Sequence, residues 1–204
     1  MSHGRLVAIE GIDGAGTTTQ AGRLAAALGE RGYDTHQTRE PSDGPIGLLL
    51  REMLGGAHEP VDSTTFGLLF AADRADHIQR EVKPAMARGA VVISDRWYHS
   101  SLAYQGNQEE RAWIRDLNRR ALVPDVTVLL EIDPDVAERR RAIAGRPSEL
   151  FDAGDLQRQI AAGYREVAGE LSRHERIVVI DGAAPPDDVA AAVLEAVSAA
   201  LGGR

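Results

Sequence analysis

Short apolar runs alternate along this chain with longer stretches in which apolar residues return every three or four positions. Residues 5–10, "RLVAIE", are short and apolar enough for a buried strand. From Thr18 to about Arg31 the pattern is helical, and Gly32 supplies the stop. Residues 33–38 predict a second strand, which gives way to the turn-rich "REPSDGP". A short helix is expected over 47–54, closed by Gly55 and Gly56. The segment "VDSTTFGLLFAADRADHIQREVKPAMARG" predicts one long helix, with Ser63 near its N-cap and Pro84 at a bend or restart. "AVVIS" (90–94), "TVLLEI" (127–132) and "RIVVID" (176–181) predict three further strands. Helical segments precede and follow each, and an alanine-rich helix is expected from about 186 to 201.

Strands alternating with helices imply an α/β fold, with a parallel sheet covered by helices on both faces. Strand order is not readable from periodicity. Residues 142–155, "AIAGRPSELFDAGD", form the least regular interior segment and read as a flap.

Composition narrows the function classes. With 204 residues, 43% of them hydrophobic, a single domain over 1–204 is expected. A net charge of −8 argues against broad binding to nucleic acid or to a membrane surface, since both favour a basic face. There is no cysteine, so disulfides and thiolate metal sites are excluded. The N-terminus has no long apolar leader pattern, and no run approaches the ~18 apolar residues of a membrane span. A cytoplasmic protein is expected.

The candidate chemistry begins at "GIDGAGTTTQ", residues 11–20. It fits the phosphate-binding template G-x-x-x-x-G-K-[ST] except that Thr17 stands in place of the lysine. Strand, glycine loop and helix are the context this motif requires. Gly11, Ile12, Asp13, Gly14, Ala15, Gly16, Thr17, Thr18 and Thr19 are therefore candidates to cradle phosphates. Thr18 would offer its hydroxyl to a Mg²⁺ shell. Lys83 is the only lysine among 23 basic residues, so arginines are the available substitute cations.

A second constellation lies in "VVISDRWYHSSLAYQG", residues 91–106. Asp95 at a strand's C-terminal end suits Mg²⁺ through water, and Arg96 suits a phosphate. In "LLFAADRADHI", Phe70 and Arg74 share a helix face, a ring to stack a nucleobase and a guanidinium for its edge. Either pattern alone is as readily a surface ion pair or a core phenylalanine.

Together these stretches resemble the thymidylate kinase family: "IEGIDGAG" with "TTTQ", "TREP", "FAADR", "DRWYHSSLAYQG", and "GYREVA" after an arginine-bearing flap. The resemblance implies a P-loop NTPase-type three-layer sandwich with a five-stranded parallel sheet and a short lid at about 140–155. It implies transfer of the ATP γ-phosphoryl group to dTMP with Mg²⁺, by a homodimer whose candidate surface is the helix around 64–80. It would place Asp13 by the substrate sugar or phosphate and Arg39 by the acceptor phosphate. Phe70 would stack on thymine, with Arg74 at its edge. Ser100, Ser101 and Gln105 would line the base pocket beside Tyr104, and Tyr164 would approach the deoxyribose. Thr18 and Asp95 would serve the metal, and Arg96 would clamp the phosphate.

The chain departs from the family pattern at Thr17 and at Leu150, and each departure removes a cation. Compensation is expected from Arg146 or one of Arg139–Arg141, with Arg96, Asp13 and Arg146 as the candidate catalytic set. Consecutive residues of that run point in different directions, so at least one faces solvent. Two other readings stand beside the kinase: a non-catalytic module that binds dTMP or ATP, and a kinase with another acceptor or donor.

Overall fold

The structure is a computed structural model that describes residues 4–202, apart from 60, 105–107, 146–149, 152 and 153. Its sheet contains β1 (Arg5–Gly11), β2 (Thr35–Arg39), β3 (Val91–Asp95), β4 (Val126–Glu131) and β5 (Ile177–Asp181). All pairings are parallel and the spatial order is β2-β3-β1-β4-β5. β1 lies at the centre, with Val7 opposite Ile93 on one side and Val126 on the other. Every strand falls within two residues of its predicted span. Among the described residues the helices are α1 (Thr17–Glu30), α2 (Pro45–Leu54), α3 (Ser63–His77), α4 (Lys83–Ala87), α5 (Tyr98–Tyr104), α6 (Gln108–Leu117), α7 (Pro134–Ala144), α8 (Gly154–Leu171) and α9 (Pro186–Leu201).

The long helix predicted over 61–89 is divided. α3 passes into a π-helical turn, Ile78–Val82, before α4 restarts with Pro84 in its first turn. Proline has no N–H to donate and its ring crowds the carbonyl four residues back, so an α-register cannot run through it unchanged. Ser63 lies next to the N-cap of α3, which is Asp62, and the Asp62 carboxylate accepts from the Thr65 amide at 2.6 Å.

Alternation along β1 sorts the core. Leu6 and Ala8 join Val92, Trp97, Leu102, Ile114 and Val167 in one buried cluster. Val7 and Ile9 point the other way, joining Ala21, Leu24 and Leu28 of α1 and Val193 and Val197 of α9. The chain leaves β1 toward opposite sides of the sheet, β2 and β3 on one side, β4 and β5 on the other. That switch opens a crevice at the strands' C-terminal ends, where ligands of such sheets bind. Among the described residues no helix is long and apolar enough to cross a membrane.

Candidate active site

β1 ends at Gly11, and the glycine loop leads into α1. Gly16 caps that helix at φ 98°, a left-handed conformation that disfavours a side chain, and no side chain caps the helix. The first amides of α1 lack intrahelical acceptors and, with the helix dipole, are left for an anion. Thr17 is buried and Thr18 is exposed.

A cavity of about 780 Å³ opens over the loop. It is lined by the loop residues from Asp13 to Gln20, by Asp95 and Arg96, and by Arg39, Arg51, Arg140 and Arg141. Gly182, Ala184, Pro186 and Val189, from the segment after β5, also line it. A second, more apolar cavity of about 230 Å³ is lined by Phe66, Phe70, Arg74, Trp97, Ser100, Ser101, Tyr104 and Phe151, among others. Asp13 and Arg96 border both cavities.

Arg96 is the sole non-glycine residue with positive φ among the described residues, at 74°. A conformation of that kind costs about 1–3 kcal/mol and persists where the surroundings enforce it. Here the guanidinium donates to the Gly11 carbonyl at 2.9 Å and the Asp13 carboxylate at 2.8 Å. It also reaches the Tyr164 hydroxyl at 3.2 Å and Ser100 Oγ at 3.4 Å. Burial pushes the Tyr104 and Tyr164 phenols up, so both remain neutral around the guanidinium.

Asp95 stands beside the loop, its Oδ2 accepting from the Thr18 hydroxyl at 2.5 Å. Its Oδ1 is buried with no hydrogen-bond partner. A buried carboxylate oxygen left unpaired beside a hydroxyl fits a hydrated Mg²⁺. No group of three His, Cys, Asp or Glu suited to a metal occurs among the described residues, so any ion here would lean on the nucleotide's own oxygens.

Arg74 is 2% exposed and paired with Glu40 at 2.6 Å, while its Nη2 donates to Ser101 Oγ at 3.2 Å. Its third partner is Asn118. Neither Glu40 nor Asn118 stood out in the sequence, because a buried counter-ion carries no local pattern. Phe70 lies with Arg74 on the wall of the smaller cavity. Arg39 is exposed, paired with Asp43 at 2.9 Å on the rim of the larger one. Tyr164 lines neither of these two cavities; its hydroxyl goes to Glu10 and Ser100, one layer behind Arg96. Gln105 and Arg146 lie outside the described residues, as does part of the expected lid.

The arginine run divides as its geometry demands. Arg139 is exposed, and Arg140 donates to the Gly182 carbonyl at 2.8 Å. Arg141 is 8% exposed and donates to the Asp13 carbonyl inside the larger cavity. The flap supplies Phe151, whose ring meets Phe66 and Tyr104 edge-on at 5.8 and 5.4 Å. Its carbonyl accepts from Gln157 at 2.8 Å, a contact sequence patterning does not announce.

The sequence model of the family described as thymidylate kinase matches residues 9–193. A probable thymidylate kinase of Thermococcus gammatolerans is 42% identical over 185 residues, covering 86% of this chain and 88% of the relative. A thymidylate kinase of Thermomicrobium roseum is 40% identical over 194 residues, covering 92% and 91%. A thymidylate kinase of Clavibacter michiganensis is 34% identical over 197 residues, covering 93% and 92%. With a glycine loop, an Asp95-Arg96 corner and paired cavities along its matched length, this chain belongs to the thymidylate kinase family.

Proposed function

We propose that this protein transfers the γ-phosphoryl group of ATP to dTMP, giving dTDP and ADP. Family membership supports the reaction, and one geometric observation supports its location: Asp13 and Arg96 border both cavities. The larger cavity suits ATP along the glycine loop. The smaller suits dTMP, with thymine on Phe70, its edge toward Arg74 and Ser101, and its phosphate toward Arg96 and Arg39.

A phosphate oxygen of dTMP attacks the γ-phosphorus as the bond to the β–γ bridging oxygen breaks, and ADP keeps the bonding electrons. Such transfers need alignment and charge neutralisation more than covalent help. Loop amides, Arg96 and Arg141 supply charge where Thr17 supplies none, so Arg141 is read as the stand-in for the lysine. Thr18 and Asp95 would hold Mg²⁺, which when bound spreads the phosphates' charge. The acceptor pocket argues for thymine or uracil over purines.

We further read the chain as one kinase domain with its lid near 140–155, acting as a cytoplasmic homodimer. Leu48, Leu49 and Leu68, on α2 and α3, are 51%, 39% and 49% exposed and suit such an interface. No observation favours a non-catalytic binding module. A coupled assay with ATP, Mg²⁺ and dTMP, dUMP or dGMP tests the reading. ADP release with dTMP above the other two is expected. Tight dTMP binding without ADP release would refute it.

A further inference from the structure

A line of buried polar groups runs to the reaction centre, and the transfer chemistry uses only its last member. His99, in α5, is 2% exposed. Its Nε2 lies 2.9 Å from Glu175 Oε2, and its Nδ1 lies 3.6 Å from Glu10 Oε1. At that second distance Nδ1 has no hydrogen-bond partner, so Glu10 attracts the ring through charge alone, and only when the ring is protonated. Glu10 is 0% exposed. It accepts from the Trp97 amide at 2.7 Å, the Ser100 hydroxyl at 2.6 Å and the Tyr164 hydroxyl at 3.0 Å. Both hydroxyls in turn touch Arg96 Nη1.

Glu175 can only accept, so Nε2 carries a proton, and a second proton on Nδ1 makes the ring a cation facing the buried Glu10 carboxylate. A fully buried carboxylate is costly unless a cation faces it. Arg96 is the other cation near Glu10, and Asp13 already engages it. We propose that His99 is a positioning residue for Arg96. Its imidazolium keeps Glu10 ionised, and ionised Glu10 fixes the Ser100 and Tyr164 hydroxyls that set the guanidinium.

The surroundings agree. Burial works against charge on both groups, yet their contacts hold Glu10 below the ordinary carboxylate range and His99 above the ordinary imidazole range. Thr127 Oγ1, from β4, lies 3.4 Å from Nε2, and the Tyr98 ring stacks on the imidazole at 4.2 Å. Glu175, beyond α8, is held below the ordinary carboxylate range despite burial, by His99 and then by Tyr98 and Arg115 of α6.

The inference rests on Arg96 clamping the transferring phosphate, so Arg96→Ala is the control. The experiment measures kcat and KM in H99Q, E10Q, the double variant and R96A. H99Q is expected to lower kcat about 10- to 100-fold through misplacement of Arg96, with KM for ATP nearly unchanged. The double variant should lose no more than E10Q alone, because a neutral amide at position 10 needs no imidazolium. Wild-type kcat in H99Q, or additive losses, would overturn the proposal. R96A at wild-type kcat would instead overturn the reading of Arg96. If H99Q does not fold, E175Q decides. Withdrawing that carboxylate should move the alkaline limb of the kcat profile to lower pH, and an unmoved limb would overturn the inference.

Discussion

At the scale of single residues, the question is which cation serves a phosphate loop that carries Thr17. Arg141 is buried, lines the larger cavity and holds the Asp13 carbonyl. One charged donor in a water-excluded transfer site is worth about 10²–10³ in rate. Arg141→Ala should therefore lower kcat by that order, measured by steady-state ADP release. Thr17→Lys should gain far less than that factor, because guanidinium groups already line the larger cavity. A gain of several hundredfold would show instead that the native site is impaired.

At the scale of elements, the packing of α8 on α5 decides whether Tyr164 meets Ser100. Gly163 permits it: a Cβ there would stand 2.5 Å from the Ala103 carbonyl oxygen. Gly163→Ala must push the helices apart, a strain of about 1–3 kcal/mol. Chemical denaturation should report that loss. The same variant should lower kcat at saturating dTMP and ATP, because Tyr164 moves with the helix that carries it.

For the whole molecule, stability should depend on pH through its buried ion pairs. Burial opposes ionisation of Glu10 and Glu175, but hydrogen bonds and the His99 charge prevail, and both sit below the ordinary 4.5. Their stabilisation is present above that value and lost as pH falls through the depressed ones. Glu40 and Glu81 hold His77 above the ordinary 6.5 despite burial, and the two flanking carboxylates do the same for His99. That contribution is complete below 6.5 and lost as pH rises through the raised values. Calorimetry should find Tm highest between about pH 4.5 and 6.5, falling on both sides. A Tm still rising above pH 8 would contradict it. Assembly is tested at the same scale. Leu68→Asp puts a charge into the exposed apolar surface of α3 and should convert a dimer to monomers in analytical ultracentrifugation.

The sequence by itself determined the elements and the phosphate loop. Both are written in local terms: runs of apolar residues, helical periodicity, and glycines at fixed offsets between a strand and a helix. It also determined that Phe70 and Arg74 share a face, since helix geometry alone puts them there. The tertiary structure decided which groups meet. Glu10 reads locally as one polar residue ending a strand, yet the pleat turns it into the core against His99, Ser100 and Tyr164. Glu40 becomes the counter-ion of Arg74 across 34 residues of chain. Among three adjacent arginines, the turn of α7 delivers Arg141 to the loop. Burial and pairing of charge depend on contacts between distant segments, and those exist only once the sheet has set its strand order.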